Sequence, residues 1–321
     1  MNQIRMSQIR KQLLLATLLP LMAICATAQV APNPNQVAIL RWYAANTATT
    51  FNLGGTCCTG IAFDGANLWI TDNYASTVSK VRANDGALLG TFSVGAFPNG
   101  VAFDGANVWV ANLGSNSVTK LRASDGFTLA TYSVAGGPVG LAFDGANIWV
   151  ASFGPAQVTK LRATDGKNLG IFLAGVIANA DGIAFDGSSI WVTDNGGSTV
   201  TRLNPSNGKV LGSFNVGVQP SGLAFDGANI WVANQADSNV TRIRASDGVI
   251  LGKTVVGNKP NGVVFDGSYI WVAASGSNAL SKIRPSDGTV VGHFATGIAP
   301  GSVAFDGANV WVTFAGGVSK F

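Results

Sequence analysis

"GVAFDGANVWVAN", residues 100–112, decides the fold because it recurs along the whole chain. Its phenylalanine falls at Phe63, Phe103, Phe143, Phe185, Phe225, Phe265 and Phe305, in steps of 40, 40, 42, 40, 40 and 40 residues. A tryptophan stands six residues after each one: Trp69, Trp109, Trp149, Trp191, Trp231, Trp271 and Trp311. The single longer step is explained by "GVIANADG", residues 175–182.

One repeat divides into four short strands. "GVAFD" meets the tight-turn pair Asp104-Gly105, and "NVWVAN" follows, ending before Gly114-Ser115-Asn116. "SVTKLRAS" then runs to Asp125-Gly126, and "TLATYSV" closes the unit. Valine, threonine and aromatic residues fill the strands, while Gly, Asn and Asp mark the turns. No 3.6-residue period of apolar positions appears beyond the first residues. Seven four-stranded units of about 40 residues predict an all-β, seven-bladed β-propeller.

The last repeat stops at "VWVTFAGGVSKF" and lacks a fourth strand, whereas "LRWYAANTATTFNL" (40–53) aligns without a gap on "VRANDGALLGTFSV" (81–94). The sequence therefore predicts a ring closed by an N-terminal strand that completes the last blade. Both "QVAIL" and "GVSKF" resemble a third strand, so either terminus could supply that one.

The opening "MNQIRMSQIRKQLLLATLLPLMAICATAQV" has the form of an export leader: Arg5, Arg10 and Lys11, an apolar run, then Ala26-Thr27-Ala28. The run is too short, and too broken by Pro20, to predict a permanent membrane span. The organisation read from the sequence is a signal peptide over 1–28, a linker over 29–36 and one propeller domain over 37–321, periplasmic or secreted after cleavage near Ala28. Losing the three leader bases lowers the formal charge from +4 to +1, which argues against a nucleic-acid partner. Nothing in the sequence calls for more than a monomer.

Features repeated seven times read as architecture. The Trp and Phe residues are assigned to packing between blades, and the seven FDG aspartates to turn backbone groups. The third-strand pairs Lys80/Arg82, Lys120/Arg122, Lys160/Arg162, Arg242/Arg244 and Lys282/Arg284 are read as a solvated face whose heads meet the nearby SDG aspartates. The least repetitive parts are the loops leading into each innermost strand and those joining second to third strands. They share one rim, the top, where function usually resides on propellers. The ligand-facing candidates there are Cys57, Cys58, Tyr74, Phe97, Phe153 and Phe314, with a protein, peptide or glycan as the expected partner.

Catalytic groups are scarce. The chain has no glutamate, and its one histidine, His293, aligns with Thr91 on an outer strand. No catalytic residue is assigned. Asp181 and Asp194, with Asn179 and Asn195, form a candidate oxygen site for a hard cation such as Ca or Mg on the rim of one blade; otherwise no cofactor is expected.

Cys57 and Cys58 occupy the loop into the first innermost strand, Cys58 standing where Pro98, Pro138, Pro220, Pro260 and Pro300 stand elsewhere. Three fates fit this pair. One is a disulfide between neighbours that stiffens the loop, strained because adjacent Cα atoms lie ~3.8 Å apart against a usual span of roughly 4.4–6.8 Å. The others are thiols left free or paired with another chain, and a ligand-facing or redox-active pair.

"GPVGLAFDGANIWVASFGPAQVTKLRATDG" (137–166) and its sister copies resemble bacterial propellers of the YVTN and NHL-repeat type, which overlap with the streptogramin (virginiamycin B) lyase family. The resemblance covers about 36–321 and implies the propeller fold. It also implies, as an alternative to a non-catalytic scaffold, a metal-dependent lyase or hydrolase. Those lyases use a histidine and acidic ligands to magnesium on the rim. Here no rim histidine matches that pattern, and glutamate is absent.

Overall fold

Each repeat folds into one antiparallel four-stranded sheet, and the computed structural model has seven of them and no helix among the described residues, 48–55, 58–154, 157–172 and 178–321. The residues read as a leader (1–28) and a linker (29–36), residues 37–47 and Cys57 lie outside that set. The strands number twenty-eight in chain order. β1 is Thr49–Asn52, and the first complete blade is β2 (Cys58–Phe63), β3 (Asn67–Asp72), β4 (Thr77–Arg82) and β5 (Leu88–Ser93). Innermost strands of the next blades are β6 (Pro98–Phe103), β10 (Pro138–Phe143), β14 (Ala180–Phe185), β18 (Pro220–Phe225) and β22 (Pro260–Phe265). The last blade has the order β1, β28 (Gly317–Lys320), β27 (Val310–Phe314), β26 (Val303–Phe305). The N-terminus thus supplies the outer strand, as its alignment predicts. The open question about the third strand is answered by the C-terminus, with Thr49 facing Lys320 and Asn52 facing Gly317. This closure pairs both ends of the chain in one sheet and leaves the ring without a seam held by side chains alone.

Seven buried clusters lie between successive blades. Trp69 of the first blade packs against Val108, Val110 and Leu121 of the second, and Trp311 of the last against Leu68, Ile70 and Val81 of the first. An aromatic residue of the outer strand covers the indole: Phe92 at 5.6 Å from Trp69, and Phe51 at 5.5 Å from Trp311.

The FDG aspartates do more than satisfy the turn. Asp104 Oδ1 accepts the backbone N–H groups of Ala106 (2.9 Å) and Asn107 (2.7 Å), while Oδ2 accepts the buried Trp109 indole N–H at 2.7 Å. A buried indole needs such an acceptor, and the same aspartate–indole bond recurs in all seven blades.

The third-strand bases divide in a way that the expected solvated face does not anticipate. Arg82, Arg122, Arg244 and Arg284 are exposed and Arg162 partly so, and they pair with Asp85, Asp125, Asp247, Asp287 and Asp165 of the following turns, as predicted. Lys80, Lys120 and Lys160 are buried instead. The Lys120 ammonium lies 4.9 Å from the Trp109 ring centre and donates to the Ala163 (2.7 Å) and Thr164 carbonyls of the next blade. The indole face and the turn carbonyls together replace its water, so the charge becomes a clasp between blades.

Candidate functional site

The channel along the ring axis is shaped by an irregularity in the innermost strands. In the first six blades the pairing of first and second strands carries one extra residue, as between Pro98 and Val101 or Ala180 and Ile183. Such bulges re-aim side chains. With it, the second position of the innermost segment lies at the channel as Thr59, Asn99, Val139, Asp181 and Asn261, joined by Gly301 of the last blade, while Ser221 at the same position is fully buried. The third position is glycine in the first six blades because the next blade comes too close for a side chain. A Cβ on Gly100 would stand 2.2 Å from the Val139 carbonyl oxygen, and one on Gly182 2.2 Å from that of Ser221. The fourth position is a branched aliphatic throughout: Ile61, Val101, Leu141, Ile183, Leu223, Val263 and Val303. These levels bound a cavity of about 490 Å³, within the usual size range of small-molecule sites.

Some of the ring is committed to structure. Thr59 Oγ1 donates to the Pro98 carbonyl (3.1 Å), and Ser221 Oγ donates to that of Pro260 (3.3 Å). Behind them, Thr193 Oγ1 on the second strand accepts from Gly182 N–H (2.8 Å) and donates to the Ser221 carbonyl (2.9 Å). The side chains of Asn99, Asp181 and Asn261 make no hydrogen bond to any described residue. Among the described residues Asp181 is the one charged side chain lining the channel, where Cys58 is the only other titratable group. Protein surrounds it within the channel mouth although part of its surface still meets channel water. That desolvation pushes its carboxyl pKa up to about 6.

The four residues assigned to a cation separate. Asp181 faces the channel, whereas Asp194 is fully buried and its Oδ1 accepts the N–H groups of Ala178 (2.8 Å) and Asn179 (3.0 Å). With its nitrogen placed to donate, the Asn179 carboxamide reaches the Ala178 and Phe153 carbonyls. Asn195 Nδ2 donates to the Pro220 carbonyl at 3.2 Å. Asp194 and Asn179 therefore tie down the residues just before β14, while Asn195 reaches the start of β18 in the next blade. No group of three or more His, Cys, Asp or Glu able to hold a metal occurs among the described residues.

On the rim, Tyr74 (71% exposed), Phe97 and Phe153 stand out, with Val218 and Ile298 (72%) beside them in the sequence-variable loops. Phe97 adopts φ 50° and covers Gly114, where a Cβ would meet its ring at 2.4 Å. Phe314 is half-buried, packed over Gly297. Cys58 opens β2 in the proline position, buried and lining the channel. The disulfide assigned to it involves Cys57, outside the described residues. His293 lies exposed on the outermost strand, its Nδ1 3.0 Å from Ser281 Oγ.

Sequence alone points Asp181 to the rim and does not single out Asn99 or Asn261. The available clue is variation: "PNGV", "PVGL", "ADGI" and "PSGL" differ chiefly at the second letter of an otherwise repeated strand.

No protein-family model matches the chain, and no curated protein matches it. Among solved structures, a streptogramin B lyase superposes with a TM-score of 0.74 at 21% identity, over 85% of this chain and 96% of that one. The virginiamycin B lyase of Staphylococcus aureus gives 0.74 at 18% identity, over 85% and 98%. A hydrazine synthase of Kuenenia stuttgartiensis gives 0.71 at 18% identity, over 85% and 97%. Proteins named for such different activities share this fold, so at these identities the likeness establishes the propeller alone.

Proposed function

We propose that this chain is an exported, non-catalytic propeller scaffold that binds a protein, peptide or glycan partner through its top-face loops. The observation that carries this reading is the exposed apolar rim. Tyr74, Phe97 and Phe153, with Val218 and Ile298, are presented by the most variable loops of a chain otherwise built from repetition. Large exposed aromatics on a rigid scaffold favour recognition, because they offer contact area at small entropic cost. The leader-like first residues support export.

The test is capture from the native periplasm or culture supernatant, comparing the protein with a Tyr74→Ala/Phe97→Ala/Phe153→Ala variant of matched thermal stability. A partner retained by the unsubstituted protein and lost by the variant is the expected result. Equal retention by both would remove the rim from the binding surface.

A second reading, a metal-dependent lyase or hydrolase, is favoured by the shared fold of the streptogramin lyases. The donors on the channel do not fit a histidine-plus-acid magnesium site. Among the described residues one carboxylate faces it, the only histidine sits on an outer strand, and the chain has no glutamate. Chelator-sensitive turnover of a macrocyclic lactone would favour this reading over the scaffold.

A further inference from the structure

The channel itself is built to discriminate. We infer that it receives a primary aliphatic ammonium group: the cationic head pairs with Asp181 at the polar ring, and the hydrocarbon stem descends along the aliphatic collar beneath. This rests on the reading of the top face as the binding face, and it names the group that face selects.

Three observations converge on it. First, the Asp181 carboxylate lines the cavity of about 490 Å³ with no hydrogen bond or ion pair to any described residue. A carboxylate in such surroundings costs stability unless a ligand completes it. The flanking innermost strands, Pro138–Phe143 and Pro220–Phe225, bring no ionisable group to it. On the adjacent second strand Asp194 is turned to the loop amides, and Cys58 is the remaining titratable residue of the lining.

Second, Asn99 and Asn261 occupy the same level in the second and sixth blades, with carboxamides equally unpartnered among the described residues. They offer neutral acceptors, so the ring as a whole carries one negative charge. A monocation neutralises it. A divalent ion would leave excess positive charge and would lack most of the six to eight oxygen ligands that calcium usually takes.

Third, the branched residue two places further along every innermost strand, from Ile61 to Val303, lines the same cavity. An ammonium on an alkyl stem satisfies both levels, whereas a fully hydrated inorganic cation gains nothing from the lower one.

Free alkylamines and lysine side chains share this chemistry, and titration calorimetry near neutral pH separates them. The probes are n-hexylammonium, 1-hexanol, hexanoate, calcium chloride and the blocked peptide acetyl-Gly-Lys-Gly-amide. The expected result is binding of hexylammonium, of the peptide, or of both, with hexanol and hexanoate at least tenfold weaker. Asp181→Asn should lose at least tenfold in affinity while still unfolding cooperatively at no lower temperature, and binding should weaken as pH falls through about 6. Binding of hexylammonium alone assigns the site to a free amine, and of the peptide alone to an inserted lysine. Binding of calcium with neither amine overturns the inference, as does equal affinity for hexanol, or amine binding unchanged in Asp181→Asn. The rim variant serves as control: amine binding that survives it while partner capture is unaffected upholds the channel inference and refutes the rim reading. Loss of partner capture with no amine binding does the reverse.

Discussion

Replacing Asp181 by Asn should stabilise the protein, by an amount that depends on pH. The carboxyl has an ordinary pKa of 3.8 and is pushed up to about 6 by desolvation in the channel. At about 1.4 kcal/mol per unit, this corresponds to at most ~3 kcal/mol of destabilisation once the group is charged in both states. Channel water still reaches part of it, so about 1–2 kcal/mol is the reasoned effect. Between pH 3.8 and about 6 the folded state holds the proton more tightly than the unfolded chain. This contribution to stability is therefore greatest at low pH, falls as pH rises through that window, and is fully lost above it. Asn carries no charge and lacks this dependence, while preserving size and matching Asn99 and Asn261 at the same level of other blades. Thermal unfolding of both proteins from about pH 4 to pH 8 should show a melting point for Asp181→Asn higher by ~2–6 °C at the alkaline end. The gap should shrink toward the acid end. A variant less stable at pH 8, or a gap of constant size across the range, would refute the account of Asp181 as an uncompensated channel charge.

Other expectations concern the scaffold. Asp64, Asp104, Asp144, Asp186 and Asp306 have the opposite sign: burial raises each, but the indole N–H and the turn amides outweigh it and leave the pKa lowered. Their stabilisation is present above pH 3.8 and lost as pH falls through the lowered values, so the melting point should drop steeply below about pH 4. Asp104→Asn should cost about 1.5–3 kcal/mol at neutral pH and less in acid; a cost that does not change with pH would contradict the carboxylate's role as acceptor. Phe51→Ala removes the aromatic cover of Trp311 and should cost about 3–5 kcal/mol in urea unfolding; a loss under about 1 kcal/mol would mean that this closing contact contributes little. Gly100→Ala places a Cβ 2.2 Å from the Val139 carbonyl oxygen and should prevent stable folding. Gly105→Ala meets open space at φ +96° and should cost only about 1–2 kcal/mol; comparable thermal losses for the two would discount the close approach of neighbouring blades.

Repetition made the fold legible in the sequence. Seven evenly spaced copies of an F-D-G…W pattern fixed blade number, strand count and the N-terminal outer strand, because each copy reports the same local chemistry. The indole bond to Asp104 left no separate trace, since a turn aspartate and an indole acceptor look alike in one dimension. Lys80 and Arg82 illustrate the limit more sharply. They share a strand face by alternation, yet Lys80 is buried under the turn carbonyls of the next blade while Arg82, the last residue of its strand, is exposed beside the Asp85 turn, and sequence spacing does not report where along the strand the next blade covers it. Asp181 and Asp194 read as partners on one rim. The extra residue in the innermost strand sends the first to the channel, while the loop amides hold the second. The sequence alone determined the ring. The tertiary structure decided where its one unpaired channel charge stands, because the axis of a propeller is a place where seven distant segments converge and no single segment encodes it.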